Sequence, residues 1–276
     1  MLSPVSRGLT YGMALYYFVL GVVLFFIPGH MSGVFAWNVS PFVAMTIGAW
    51  CLGNSWMALV TGWRWRWSQV YASLVYLWAF GLLQSVVALS FHDKLRLAHP
   101  IAWLYLGTLA FSLLAAFIGM IDLLRLRPAR EPLGEPVNRV AQLVNLIFVI
   151  LVGFLGIYGL VAQTGWPATN AGVFPEVLSL FTLKSFGAFY LSLVIGATAL
   201  LRDRYLAARL HYIFAAFGLI VMITLAALWY IEQFDFANRP GGLVYIGIYL
   251  VVGLISVVYF VIYGTGRISA QNENVE

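Results

Sequence analysis

Long apolar runs dominate this sequence and restrict it to very few folds. Eight of them hold about 20 residues each, the length that an α-helix needs to cross the hydrocarbon core of a bilayer. Charged residues make up only 9% of the chain, against about 25% in soluble domains. The sequence therefore predicts an all-α, polytopic membrane protein with eight transmembrane helices. We place these helices at residues 9–27, 41–61, 70–91, 100–124, 140–161, 176–200, 208–231 and 242–264.

The chain contains two copies of one unit. Small and aromatic residues around the second predicted helix recur 139 residues later in the same order. Because each copy holds four helices, an even number, the second copy starts with the same orientation as the first. We predict two parallel four-helix repeats, at residues 1–126 and 139–276, joined by a cytoplasmic linker at 127–138. The clearest matches are Gly33-Val34-Phe35 with Gly172-Val173-Phe174, Gly48-Ala49 with Gly187-Ala188, and Leu52 with Leu191.

The basic residues indicate how the helices are oriented. Membrane proteins carry an excess of lysine and arginine in their cytoplasmic loops. With the N-terminus taken as cytoplasmic, only Lys94, Arg96 and Arg239 fall in outer loops. We therefore expect a plasma-membrane protein with both termini in the cytoplasm. The basic residues on the cytoplasmic side are Arg7, Arg64, Arg66, Arg125, Arg127, Arg130, Arg139, Arg202, Arg204, Arg209 and Arg267.

Small residues on the second and sixth predicted helices favour close helix packing. Inside a membrane, glycine and alanine on one helix face let a neighbouring backbone approach. We expect this role because Gly48-Ala49 recurs as Gly187-Ala188 and because Ala188 and Gly196 lie on one helix face. The positions are Gly48, Ala49, Gly53, Gly187, Ala188 and Gly196.

Tryptophans and arginines alternate where the second predicted helix reaches the cytoplasmic side. Indole rings suit the lipid head-group layer, and guanidinium groups suit lipid phosphates. We expect a membrane anchor and not a nucleic-acid surface, because five residues in a tight turn offer too little area. The anchor residues are Trp63, Arg64, Trp65, Arg66 and Trp67.

Lys184 is the one charged residue deep inside a predicted transmembrane segment. It shares a helix face with Ser192 and with small residues at a spacing of four, so we expect it to face other helices. An unpaired lysine there costs about 2.5–3.5 kcal/mol on insertion scales. The acids predicted near the same end, Glu176, Glu232 and Asp235, are its candidate partners. Two interpretations stay open: a site for an ion, a proton or an anionic ligand, and a structural pair or a lysine that extends to the outer head groups.

The remaining residues indicate neither a metal site nor a catalytic one. The four histidines lie near segment ends without the spacing of a metal or haem pair, and we expect His211 either at head-group level or in a helix cap. The single cysteine, Cys51, excludes an intrachain disulfide. Phosphate-binding loops, nucleophile elbows and zinc-protease helices are absent, so the sequence identifies no catalytic residue and no cofactor.

Each half of the chain resembles the DoxX-like class of small four-helix bacterial membrane modules. The resemblance rests on Ile27-Pro28-Gly29 at the end of an apolar helix, on Phe35-Ala36-Trp37, on the small-residue second helix and on the short basic turn into the third. It implies a tandem duplication in a bacterial inner membrane. Some members of that class are linked to quinone-dependent oxidation or to partner subunits of membrane enzymes. The resemblance assigns no role to any single residue.

These features favour a non-catalytic membrane protein. We expect either an accessory or structural subunit that packs against other membrane subunits, or a protein that holds a lipid-like ligand such as a quinone or a pigment. The alternative is a secondary transporter or ion-coupled carrier for a small solute, since a charged residue near the interface of parallel repeats suits that function. A subunit of a membrane oxidoreductase is the third hypothesis. The lipid bilayer is the expected partner in every case, and nucleic acid in none.

Overall fold

The computed structural model describes residues 1–163 and 176–264, and in these ranges the chain is helical without β-strands. Eight of its helices are long and apolar enough to cross a membrane, which confirms the predicted all-α class and the eight segments. A short helix, α2, was not predicted. The sequence also predicts that part of residues 163–174 lies along the outer membrane surface. From residue 164 on, this loop lies outside the described ranges. The helices are α1 (Pro4–Phe26), α2 (Pro28–Val34), α3 (Pro41–Arg64), α4 (Trp67–Ser90), α5 (Pro100–Leu126), α6 (Arg139–Val161), α7 (Leu180–Ala199), α8 (Leu206–Trp229) and α9 (Gly241–Gly264).

Serine caps define where α3 and α7 begin. Ser40 and Ser179 each accept a hydrogen bond from the backbone N–H three residues further on, at 3.1 and 3.2 Å. Such caps satisfy one of the free N–H groups at a helix start. Helix α7 therefore begins at Leu180, later than the predicted start at residue 176.

Four helices form the centre of the protein. Helix α3 packs on α8, α4 packs on α7, and α4 also contacts α8. Around them, α1 packs on α3 and α5, α5 packs on α4, α6 packs on α7, and α9 packs on α8. A Cβ atom on Gly48 would lie 2.6 Å from the backbone nitrogen of Phe25, and one on Gly187 would lie 2.5 Å from that of Leu160. Two of these helix crossings, α1–α3 and α6–α7, therefore need a residue without a side chain.

The two ends of the bundle differ in charge. One end, which we call the basic face, holds the N-terminus, the α3–α4 turn, the segment at 127–138 and the α7–α8 turn. The last two segments are joined by backbone hydrogen bonds, such as the 2.8 Å bond from Val137 N–H to the Arg204 carbonyl oxygen. At the opposite face, which holds α2 and the α4–α5 and α8–α9 turns, the N–H of Arg96 donates to the Ala36 carbonyl at 2.7 Å.

The chain between α2 and α3 enters the bundle. The sequence predicts that part of residues 29–40 lies along the membrane surface. Helix α2 has no buried residue, which is compatible with this prediction, whereas residues 35–37 are buried. Trp37 donates from Nε1 to Thr182 Oγ1 at 3.0 Å, and its ring stacks on Phe181 with 4.2 Å between the centroids. This segment therefore connects the first half of the chain to α7.

Candidate functional site

Lys184 lies one turn inside α7 and is half-buried. Because α7 starts at Leu180, the lysine is about 6 Å from the helix start and not the roughly 12 Å that the predicted start implied. At this depth a lysine stem can extend along the helix and bring its ammonium group to the head-group layer. Within the described residues, no ion pair or hydrogen bond joins Lys184 to another group.

The acids predicted as partners of that lysine make other contacts. Glu176 accepts a hydrogen bond from the Ser40 hydroxyl. Asp235 is exposed and accepts hydrogen bonds from the Asn238 backbone N–H at 3.0 Å and from its Nδ2 at 2.7 Å. Glu232 is exposed as well. In the described part of the chain these carboxylates form no ion pair with the lysine, and a shared ion site stays a prediction.

Glu176 has an unusual environment for a carboxylate. Burial raises the pKa of Glu176, while the hydrogen bond from Ser40 and the nearby Arg239 guanidinium partly oppose this effect. The carboxylate lies before α7, next to the cap of α3, at the opposite face. Its role in the structure is therefore to connect the starts of two central helices.

The six positions predicted for helix packing are all buried. A Cβ atom on Gly53 would lie 2.6 Å from the Leu219 Cα, and one on Gly196 would lie 2.9 Å from the Tyr212 hydroxyl. Ser192, a predicted ligand candidate, is also buried and donates to the carbonyl four residues earlier at 2.6 Å. This helix face contacts other helices. The six positions are Gly48, Ala49, Gly53, Gly187, Ala188 and Gly196.

Only part of the predicted anchor faces outward. The side chain of Trp63 is 69% exposed, whereas Trp65 and Trp67 are each 7% exposed. The chain reverses at Trp65, which has a positive φ of 20°, and its Nε1 donates to the Leu2 carbonyl at 3.3 Å. The two buried indoles therefore contact protein and not lipid. A head-group anchor stays a prediction for Trp63 and the exposed Arg64 and Arg66.

His211 is fully buried, so the expected head-group position is wrong. Helix α8 begins at Leu206, which places His211 more than one turn inside, on the side that packs against α3. Its Nε2 lies 3.4 Å from Thr61 Oγ1. A second buried polar contact, a 2.7 Å hydrogen bond from the Tyr76 hydroxyl to Asn54 Oδ1, joins α4 to α3. Both contacts hold central helices together.

A cavity of about 470 Å³ lies between α6, α8 and α9. Cavities of roughly 300–1,000 Å³ commonly hold small ligands. Most of the wall consists of aliphatic and aromatic side chains, and the polar or charged ones lie towards the basic face. The apolar wall includes Val144, Ile147, Leu151, Ile213, Ile220, Val244, Ile248, Val251 and Val252, and the polar and charged wall residues include Asn145, Arg209, Tyr212, Ser256 and Tyr259.

The cavity exists because the outer helices of the second half do not pack together. In the first half, α1 packs directly on α5. There, the Phe111 ring stacks on Tyr16 with 4.9 Å between centroids, and it lies 2.4 Å from where a Gly12 Cβ would be. Helices α6 and α9 have no comparable packing in the described residues. The space that a ring fills in one half is therefore open in the other.

Arg209 is the charged residue in the cavity wall, and its side chain is 3% exposed. Its Nη2 donates to the Leu200 carbonyl at 3.4 Å, whereas Nε and Nη1 have no acceptor. The Tyr259 phenol lies close to the guanidinium. Asp203 is the nearby acid, but it accepts a 2.7 Å hydrogen bond from Tyr71 and forms no ion pair with Arg209. In the described residues this buried cation therefore has no carboxylate within 4 Å, and the Tyr259 hydroxyl is its side-chain hydrogen-bond partner.

Sequence reasoning missed this site because it counted Arg209 among the loop charges. Arg209 does fall inside the predicted segment at 208–231, among apolar neighbours, and this position could have indicated a buried charge. Burial of the side chain depends on where α6 and α9 lie, which no local pattern encodes. An apolar cavity with one cationic end suits a molecule with a long apolar part and a polar end.

The fold and this cavity define a multi-pass, helical membrane protein. In the described ranges, no group of three or more histidine, cysteine, aspartate and glutamate side chains is placed to hold a metal ion. Comparison with protein-family models, with curated proteins and with solved structures gave no match. The resemblance to DoxX-like modules therefore stays an expectation.

Proposed function

We propose that this protein binds a lipid-like amphiphile in the cavity between α6, α8 and α9 and catalyses no reaction. The observation that carries the proposal is the cavity itself: about 470 Å³ of space with apolar walls and one buried cation. This space opens between α6 and α9, and while no molecule occupies it, its wall atoms lack packing contacts on one side. A molecule with an apolar tail would restore those contacts. The bilayer supplies such molecules at high local concentration.

We also propose that the two halves of the chain arose by tandem duplication. The support for this is a set of matched contacts in the two halves. A Cβ atom on Gly21 of α1 would lie 2.8 Å from the Leu52 nitrogen of α3, and one on Gly156 of α6 would lie 2.7 Å from the Leu191 nitrogen of α7. Leu52 and Leu191 occupy equivalent positions in the two predicted repeats. Equivalent helices therefore cross in the same way in each copy.

Contacts across the centre follow the same symmetry. Trp50 stacks on Phe189 with 4.7 Å between the centroids and 9° between the rings, and the two residues are 139 positions apart. A residue that contacts its own equivalent lies close to a two-fold axis. The pairing of α3 with α8 and of α4 with α7 has the same symmetry. We therefore propose two parallel four-helix repeats related by a pseudo-two-fold axis.

The basic face is proposed to lie in the cytoplasm, following the positive-inside rule. Association with other membrane subunits is compatible with this function, because large apolar side chains remain exposed on the outer helices. Examples are Trp103 and Phe117 on α5, which are 60% and 66% exposed. In this arrangement the ligand-binding half and the α5 surface lie on different sides of the central helices.

The test uses one cavity-filling variant and its counterpart in the other half. Gly247 lines the cavity, and a Cβ atom there meets nothing within 4 Å, so Gly247→Leu adds bulk to the empty space. Gly107 is the equivalent residue on α5, also has open space at Cβ, and lines no described cavity. Gly107→Leu therefore controls for the change in helix propensity.

Both variants and the wild-type protein would be purified in a mild non-ionic detergent, and bound molecules would be extracted and identified by mass spectrometry. We expect an amphiphile in about equimolar amount with the wild type and with Gly107→Leu, and a severalfold loss with Gly247→Leu. Wild-type protein without any retained amphiphile, or equal retention by all three proteins, would contradict the proposal.

A further inference from the structure

We infer that the amphiphile carries an anionic head group, a phosphate or a carboxylate, which pairs with the buried guanidinium of Arg209. This inference rests on the proposed function and specifies the chemistry of its ligand. In the arrangement that we infer, the head group lies at the Arg209 end of the cavity, and the tail extends along α9 towards Val244.

The position of the arginine supports this orientation of the ligand. Arg209 is the fourth residue of α8, about 4.5 Å along the helix axis from its start at the basic face. Asn145 and Tyr259, on α6 and α9, lie at the same end of the cavity. Along α9, the wall extends from Tyr259 to Val244, a rise of about 22 Å. A head group at Arg209 therefore lies near the polar layer of the membrane, and the tail lies in the apolar layer.

The charge of Arg209 favours an anion over a neutral head group. The planar guanidinium carries charged N–H donors that match the oxygens of a carboxylate or a phosphate, and its Nε and Nη1 have no acceptor in the described residues. A neutral carbonyl or hydroxyl oxygen would accept a hydrogen bond but leave a buried cation without a counter-charge. Asp203 does not supply that counter-charge at contact distance, since it bonds Tyr71 and makes no ion pair within 4 Å.

The gap between the outer helices gives the ligand access from the bilayer. Helices α6 and α9 pack on α7 and α8 and not on each other. A described contact between them is the hydrogen bond from Asn138 Nδ2 to the Tyr263 hydroxyl at 3.1 Å. This bond lies at the basic face, beyond the Arg209 end of the cavity. A lipid tail can therefore enter from the bilayer between α6 and α9. The head group then lies at the Arg209 end of the cavity, on the membrane side of the Asn138–Tyr263 hydrogen bond.

The experiment compares probes that share a tail or share a head group. Hexadecyl phosphate, palmitate and hexadecanol would be titrated into delipidated protein in non-ionic detergent, with inorganic phosphate as the tail-free probe, and binding followed by the shift in thermal unfolding. For wild-type protein we expect the two anionic amphiphiles to bind at least about tenfold more tightly than hexadecanol, as expected for charge-assisted hydrogen bonds. Inorganic phosphate alone should give no shift.

Two arginine variants make the test specific. Arg209→Met keeps the length of the side chain and removes its charge, so the anionic amphiphiles should lose their advantage over hexadecanol. Arg202→Met removes an exposed charge from the same α7–α8 region and should leave the advantage unchanged. If Arg209→Met fails to fold, Arg209→Lys serves instead, because a point charge without the fork should reduce but not abolish the preference.

The outcomes separate this inference from the function on which it rests. Equal binding of hexadecanol and the anionic amphiphiles, lost in Gly247→Leu, would overturn the anionic head group and leave the lipid-like ligand intact. No binding of any tailed probe would overturn both. Protection by inorganic phosphate as strong as that by hexadecyl phosphate would show a simple anion site and would also overturn the inference.

Discussion

Three charged side chains in or next to the membrane-spanning helices have different environments. Lys184 is half-buried one turn from a helix start and has no ion pair in the described residues. Glu176 lies just outside its helix and is held by a serine hydroxyl. Arg209 is buried with two N–H groups unpaired. Because unpaired charge is costly away from water, a ligand would stabilise the arginine more than either of the other two.

The pKa of Glu176 leads to a pH-dependent prediction. Burial raises this pKa in the folded protein, so the carboxyl favours folding below its unfolded pKa and loses this contribution as pH rises through the folded value. Glu176→Gln keeps an oxygen acceptor for Ser40 and cannot ionise. We therefore expect it to match the wild type near pH 4 and to be more stable by less than about 1 kcal/mol at pH 8, the small size reflecting solvent screening.

Thermal unfolding in detergent at the two pH values measures this difference. The exposed Glu232→Gln variant is the control and should follow the wild type at both. A Glu176→Gln protein that is less stable than the wild type at pH 8 would show that the carboxylate is needed in its charged form, most directly through Arg239.

Exchanging Lys184 with its equivalent residue tests whether the lysine is paired. Met45 occupies the matching position in the first proposed repeat and is 5% exposed. Lys184→Met should change the free energy of unfolding by no more than about 0.5 kcal/mol, because a lysine one turn inside its helix can extend its ammonium group to the polar layer. Met45→Lys should cost about 2–3 kcal/mol, because that side chain is buried among helices.

Denaturant unfolding in mixed micelles gives both values. A large loss of stability in Lys184→Met would show a partner for the lysine. Loss of solute flux in liposomes containing this variant, when wild-type liposomes support flux, would favour the transporter hypothesis over a lipid-binding function.

At the scale of helices, the α1–α3 and α6–α7 crossings depend on single glycines. Alanine at Gly48 or Gly187 would place its Cβ atom about 2.5 Å from a backbone nitrogen, which forces the helices apart. We expect each substitution to destabilise the protein by about 1–3 kcal/mol. Gly107→Ala on α5 meets nothing within 4 Å and should be neutral or stabilising by up to about 1 kcal/mol. Unfolding in mixed micelles would compare all three, and a neutral effect of Gly48→Ala and Gly187→Ala would show that these crossings are wider.

The sequence predicts which segments of this protein form helices better than it predicts which segments contact each other. The eight spans follow from apolar length alone, because a bilayer forces backbone polar groups to pair within helices. The buried glycines follow from spacing. The burial of residues 35–37 and of His211 could not be predicted, since it depends on α7 and α3, which are distant in sequence. The cavity at Arg209 could not be predicted either, because it results from the separation of α6 and α9.

On the scale of the whole molecule, the outer helices α1 and α5 of the first half pack together, whereas α6 and α9 of the second half leave space. A packed first half supports the central helices α3 and α4, on which α8 and α7 lie. The second half can therefore open for a ligand without loss of the central contacts. This division would allow one copy to retain the stabilising role while the other gained a binding role.

The orientation of both repeats can be tested with single cysteines. Cys51 is buried and is the single cysteine, so a Cys51→Ser variant provides a background without a reactive thiol. Asp93 and Glu232 are exposed, occupy equivalent turns 139 residues apart, and lie at the opposite face, whereas Arg66 and Arg202 are exposed in the two turns at the basic face. In parallel repeats, equivalent turns lie on one side of the membrane. The positive-inside rule places the basic face in the cytoplasm.

Intact cells would be treated with a membrane-impermeant maleimide before and after permeabilisation. We expect Asp93→Cys and Glu232→Cys to react from outside, and Arg66→Cys and Arg202→Cys to react only after permeabilisation. Reaction of Asp93→Cys and Glu232→Cys from opposite sides would exclude parallel repeats. Reaction of both only after permeabilisation would keep the repeats parallel and reverse the orientation, which would place the Arg209 end of the cavity, and hence the bound head group, at the outer leaflet.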